Sequence, residues 1–153
     1  METKTLDAAL KQEHRQIDEG IEAFTRGGTD MDALAGSMQA LRRHIYLEEE
    51  FLFPPLQAAG MFGPIFVMLR EHGEMWIMMD ALQIEMTERP DSAVVLERCK
   101  ELVAELEAHN LKEEQILYSQ ADALLGAEAG GTLAEFLESG EMPERWVCDG
   151  TKR

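Results

Sequence analysis

The chain predicts an all-α fold on three observations. Apolar residues recur at helical spacing in four long segments, helix-forming Ala, Leu, Glu and Met dominate the composition, and no stretch alternates as a strand requires. Each segment carries an apolar stripe too narrow to be buried alone, so the stripes must meet. The expected architecture is an up-down-up-down four-helix bundle over residues 1–125, followed by a short extra C-terminal helix and irregular tail over 126–153.

The first segment, from about residue 3 to 25, sets Leu6, Leu10, Ile17, Ile21 and Phe24 on one face and stops at Gly27-Gly28. The second opens at Thr29-Asp30, a good N-cap pair, and carries Leu34, Met38, Leu41, Ile45 and Leu52. Pro54 and Pro55 are expected to end it. The third opens at Gly63-Pro64, where proline suits a first turn, and runs through Met68, Leu69, Met75, Trp76, Met79 and Leu82 to Arg89-Pro90. The fourth is capped by Asp91 or Ser92 and carries Val95, Cys99, Leu102, Leu106, Ile116 and Leu117. Thr132-Leu-Ala-Glu135 has the capping-box pattern of a short further helix, and 141–153 reads as irregular.

With 153 residues the chain is the size of one domain. Fourteen Lys and Arg stand against 30 Asp and Glu, a net charge of −16, which argues against nucleic acid or an anionic membrane surface as partner. Residues 51–69 lack charge, but Pro54, Pro55, Gly60, Gly63 and Pro64 interrupt them, so they read as a helix end, a loop and a helix start rather than a membrane span. Two cysteines, Cys99 and Cys148, are too few for a disulfide framework, and the polar N-terminus has no signal-peptide core. A soluble, reducing, cytoplasmic setting is the expectation.

The chemistry lies in polar residues on the apolar stripes. The four histidines, His14, His44, His72 and His109, fall one to each segment. Glu48 follows His44 by four residues and Glu113 follows His109 by four, so both carboxylates share the inward faces of their histidines. Unpaired buried carboxylates are costly, and two at the centre of a bundle need cations. An internal repeat sharpens the pattern. Glu13-His14 opens one half and Glu71-His72 the other; His44-Ile-Tyr-Leu-Glu48-Glu49-Glu50-Phe51-Leu52-Phe53 then echoes His109-Asn-Leu-Lys-Glu113-Glu114-Gln115-Ile116-Leu117-Tyr118. Two hairpins related by a pseudo-twofold would set His14 with His44-Glu48 and His72 with His109-Glu113, or a crossed version of that pairing, with the carboxylates bridging two ions.

Imidazole and carboxylate without thiolate suit iron, manganese or zinc. Six side chains on two ions leave open coordination positions, and a dry cage around them suits a small gas or peroxide rather than a bulky substrate. Glu49, Glu50 and Glu114 read as solvated faces, with a hydrogen bond to a histidine as the alternative. Tyr118 is placed outside the centre in preference to donating into it. Met75, Met78, Met79 and Met86 read as soft core packing, and Cys148 as a tail thiol, inert or exposed.

The ordered set Glu-His, His-x-x-x-Glu-Glu-x-x-Leu-Phe-Pro, Glu-His, His-x-x-x-Glu-Glu-x-x-Leu-Tyr resembles the hemerythrin-like (HHE cation-binding) family over about residues 5–125. The resemblance implies a four-helix bundle holding a non-haem di-iron centre, oxo- or hydroxo-bridged, with iron ahead of zinc or manganese. It implies metal ligands His14, His44, Glu48, His72, His109 and Glu113, with Glu48 and Glu113 as bridges. Oxygen-carrying members have a further histidine one turn after the third; here that position is Trp76, so the chain resembles the bacterial four-His, two-Glu variety. That variety implies binding or sensing of O2, NO or H2O2, with iron–sulfur cluster repair or iron donation as the alternative. A third reading is a structural metal bundle in a regulatory protein. A binding or sensing protein, open to a protein partner, is favoured over an enzyme. Ferritin-type centres use Glu-x-x-His, a spacing this chain does not follow at these positions.

Overall fold

The computed structural model describes residues 4–152. The expected start of the first segment near residue 3 and the last tail residue, 153, lie outside the described residues. The fold is all-helical, with no strand among the described residues.

Helix α1 (Leu6–Thr25) is capped by Thr5, whose Oγ1 accepts the Ala8 N–H at 3.1 Å. Its polypeptide leaves through Gly27 at φ 92°, a conformation that favours glycine. Helix α2 (Met31–Leu47) is capped by Asp30, which accepts the Ala33 N–H. It does not stop at the prolines. A π-turn, Glu48–Leu52, widens the helix, and α3 (Phe53–Ala58) continues the chain with Pro54 and Pro55 in its first turn. The expectation that the prolines end the segment is therefore corrected. A first turn has N–H groups without helical partners, so residues lacking an N–H lose little there.

Helix α4 (Phe62–Glu88) and helix α5 (Ala93–Glu113, N-cap Ser92) follow. A second π-turn, Glu114–Tyr118, joins α5 to α6 (Ser119–Leu124). Helix α7 spans Gly126–Ser139 and is longer than expected; Thr132 lies inside it and gives its hydroxyl proton to the Glu128 carbonyl instead of capping. The remainder is irregular apart from one 3₁₀ turn at Asp149–Thr151.

Helix α1 packs on α2 and α5, and α4 packs on α5 and α2, so the four long helices enclose one core. Two apolar clusters fill it. One gathers Ile17, Ile21, Ile45, Met75, Trp76, Met79 and Leu106 with both cysteines. The other gathers Leu10, Leu47, Leu52, Phe53, Met68, Leu117 and Tyr118. On α1, α4 and α5 the histidines singled out above, and Glu113 with them, fall in sequence between the two clusters, while His44 and Glu48 flank the change from one cluster to the other between Ile45 and Leu47. No helix among the described residues is long and apolar enough to cross a membrane.

Candidate metal centre

Helical spacing delivers one histidine from each long helix, and the i, i+4 pairs add one carboxylate each from the ends of α2 and α5. All six side chains are buried, none more than 3% exposed. The structure gathers them into two groups that share both carboxylates: His14, His44, Glu48 and Glu113, and then His72, His109, Glu48 and Glu113. Within each group the atoms able to hold a metal ion lie within 4.8 Å of one another. Of the two pairings open from the sequence, the structure brings His14 to His44 and His72 to His109, ring centroids 4.6 and 5.0 Å apart.

Each imidazole is oriented from behind. Nδ1 of His14 faces Glu114 at 3.2 Å, that of His44 faces Glu13 at 2.8 Å, that of His72 faces Glu49 at 2.7 Å and that of His109 faces Glu71 at 2.9 Å. A carboxylate behind Nδ1 favours the tautomer that leaves the Nε2 lone pair pointing inward. The four acids obey the internal repeat. The Glu before the first histidine of each half, Glu13 or Glu71, holds the second histidine of its own half. The Glu after the bridging position, Glu49 or Glu114, holds the first histidine of the other half. Glu49 and Glu114 are thus not solvated faces; the sequence signal was that both Glu-His and Glu-Glu doublets recur.

The inward side is crowded with acceptors. Glu48 Oε1 lies 3.1 Å from His72 Nε2, and Glu113 Oε2 lies 3.8 Å from His72 Nε2 and 3.4 Å from His109 Nε2. Glu48 Oε1, His72 Nε2 and Glu113 Oε2 are all buried without a hydrogen-bond partner. Buried polar atoms are otherwise almost always paired. Three together, converging from the π-turn after α2, from α4 and from the end of α5, make a pocket of lone pairs that a cation completes. This donor set fits a divalent or trivalent metal of the imidazole–carboxylate class.

The electrostatics agree. Burial pulls each imidazole toward neutrality, but carboxylates outweigh it everywhere. Glu113 and Glu71 lift His109 to about 10. Glu48 and Glu13 lift His44 well above the usual histidine range, Glu113 and Glu114 lift His14, and Glu48 and Glu49 lift His72. Burial would raise Glu113, yet His109 and His14 hold it well below the carboxylate range. Such a field calls for positive charge at the centre, which ions supply with less crowding than four protonated rings.

Sequence reasoning misplaced Tyr118. It is fully buried inside the centre, its hydroxyl 2.7 Å from His14 Nε2, 2.8 Å from His44 Nε2, 2.5 Å from Glu48 Oε2 and 3.0 Å from Glu113 Oε1. An α-helix turns about 100° per residue, so a side chain five positions after Glu113 should point about 140° away. The π-turn takes up most of that offset, because its wider turn accommodates one extra residue. The first half shows the same device, where the Phe53 N–H reaches the Glu48 carbonyl. Burial, then Glu113 and Glu48, push the Tyr118 phenol well above its ordinary value.

The tail reaches the centre too. The Asp149 N–H donates to Glu49 Oε1 at 2.9 Å, while the other oxygen of Glu49 holds His72. Gly150 lies so close to Gly73 of α4 that a Cβ on it would sit 2.7 Å from the Gly73 Cα, which permits only glycine without displacement. Cys148 is fully buried rather than exposed, and burial followed by the Glu49 charge pushes its thiol up to about 11. Trp76 is 4% exposed. Its ring meets Trp146 edge-on at 5.6 Å and the Arg42 guanidinium at 4.5 Å.

No curated protein and no solved structure matches the chain. The sequence profile of the Hemerythrin HHE cation binding domain does match, over residues 5–121, a range that holds all six gathered His and Glu residues and Tyr118. An all-helical core, a His–Glu cluster built from two repeated halves, and that match lead to one conclusion: the chain belongs to the hemerythrin HHE cation-binding family.

Proposed function

We propose that the chain is a non-haem di-iron protein that binds or senses a small diatomic or peroxide, O2, NO or H2O2. His14 and His44 hold one ion, His72 and His109 the other, and Glu48 and Glu113 bridge them. We read the four long helices as an up-down-up-down bundle, supported by the ring in which α1, α2, α4 and α5 pack. The observation that carries the metal reading is the convergence of Glu48 Oε1, His72 Nε2 and Glu113 Oε2, all buried and without a hydrogen-bond partner. Iron bound there supplies redox chemistry and open positions for a ligand. The residues orient the imidazoles, bridge the charges and exclude water. The burial of all six groups favours a ligand of a few atoms, since anything larger must open the bundle to enter.

The test is metal analysis and an optical spectrum of the purified chain after iron loading, with and without air. Two iron atoms per chain and an absorption change on adding O2, NO or peroxide are expected. One ion or none after loading would end the paired-site reading. Two zinc ions held tightly, with no response to any of these molecules, would leave only the structural-bundle alternative.

A further inference from the structure

The two halves of the centre differ chemically at one repeat position. Phe53 and Tyr118 are equivalent, each nine residues after the histidine of its His-x-x-x-Glu motif. Phe53 stacks on His72, centroids 5.5 Å apart and planes 19° apart. Tyr118 lies over His14 at 4.9 Å and 32°. The repeat therefore lays an aromatic ring beside a histidine twice, but only Tyr118 brings an oxygen.

That oxygen is over-subscribed as a hydrogen bonder. A phenol has one proton to give. Around it stand two imidazole nitrogens, whose Nδ1 partners turn their lone pairs inward, and two carboxylate oxygens. With both rings in the neutral form that holds a metal, one donated hydrogen bond leaves the other three close contacts without a proton between them. The spacing has another explanation. Donors on neighbouring positions of one metal, with bonds of about 2.1 Å, stand about 3 Å apart. The Tyr118 oxygen lies 2.5 to 3.0 Å from all four of its neighbours. Among those neighbours, His14 Nε2 is 3.1 Å from Glu113 Oε1 and His44 Nε2 is 3.3 Å from Glu48 Oε2. Five donor atoms at such separations outline one coordination shell.

We propose that the Tyr118 oxygen is a fifth protein donor to the ion held by His14, His44, Glu48 and Glu113, with no counterpart at the ion held by His72 and His109. The proposal rests on the di-iron reading. When the ion binds, the O–H bond breaks, an oxygen–iron bond forms, the proton leaves to solvent and no electron is transferred. The two ions are then unlike. The first is closed by five protein atoms. The second has four, and all three unpaired atoms of the centre lie on its side. Its phenylalanine offers no donor, so exogenous ligands enter there.

The experiment uses the full chain, iron-loaded and oxidised, with iron per chain measured first. A visible tyrosinate-to-iron(III) charge-transfer band is expected, with tyrosine ring modes enhanced in resonance Raman. Tyr118→Phe should keep two iron atoms per chain and lose the band and those modes completely. Azide added to the wild type should bind while the tyrosinate modes persist. Two iron atoms without tyrosine modes, or modes that survive in Tyr118→Phe, overturn the proposal and leave the di-iron reading standing. Fewer than two iron atoms in the wild type remove the di-iron reading and this proposal with it. Should Tyr118→Phe fail to fold, resonance Raman of the wild type with ring-deuterated tyrosine decides: a shift of the enhanced modes supports the ligand and no shift overturns it. Loss of the tyrosinate modes as azide binds would place the exogenous ligand on the first ion and overturn the assignment of the open side.

Discussion

Glu49 has two tasks, and they separate by substitution. One oxygen orients His72 and the other holds the Asp149 N–H. Carboxylates behind metal-binding histidines are worth about 10–100-fold in metal affinity. Glu49→Ala is expected to weaken iron binding by that order, read by competition with a coloured chelator. An unchanged affinity would mean that the carboxylate does not set the imidazole. The thiols allow a second test at this scale. Burial pushes Cys99 up to about 11, and burial with Glu49 does the same to Cys148, so at pH 8 about one thiol in a thousand is ionised. Neither should react with iodoacetamide in the native chain. Gly150→Ala would drive a methyl into the α4 backbone and lift the 149–151 turn. Cys148 should then alkylate readily while Cys99 stays protected. Equal protection of both thiols in this variant would show that the tail does not depend on the glycine contact. Trp76, the point of departure from the oxygen carriers, sits between Arg42 and Trp146. Its truncation to alanine is expected to cost about 3–5 kcal/mol through the cavity it leaves.

Among the elements, α7 depends on a residue from another helix. Arg43 of α2 donates to the carbonyls of Phe136, Leu137 and Gly140, and its guanidinium lies 4.8 Å over the Phe136 ring. It adds hydrogen bonds at the C-terminal end of α7, where the Phe136 carbonyl also accepts the Gly140 N–H. Arg43→Ala should cost about 1–3 kcal/mol and, in hydrogen exchange, loosen 126–139 ahead of the four long helices. Uniform loosening of the whole chain would contradict a local role. The two π-turns show where reading by period stops. The long helices were legible because their apolar stripes obey a 3.6-residue repeat and their caps and glycine stops mark the ends. Tyr118 was not, because a π-turn changes the repeat within five residues. Nothing in Glu114–Tyr118 announces it, whereas Pro54 and Pro55 mark the first turn but read more simply as a stop.

Across the whole molecule, the bundle encloses a polar layer between two apolar clusters. That layer is a liability without cations, since orphaned acceptors carry their full desolvation cost. A metal that binds only the folded chain adds stability by mass action, about 2.7 kcal/mol at a free concentration one hundred times its dissociation constant. For a chain of this size the iron-loaded form should melt about 5–10 °C above the chelator-treated form. Equal melting temperatures would imply that the six groups hold no ion in the folded state. The sequence by itself determined the helical class, the positions of the long helices and the set of six inward residues, because each rests on local periodicity and on offsets within one helix. The tertiary structure alone decided which histidines pair, which acids stand behind them, that Tyr118 enters the centre, and that the tail closes on Glu49. Those contacts join residues from different helices, or depend on a turn whose geometry departs from the common period, and neither is encoded in spacing along one segment.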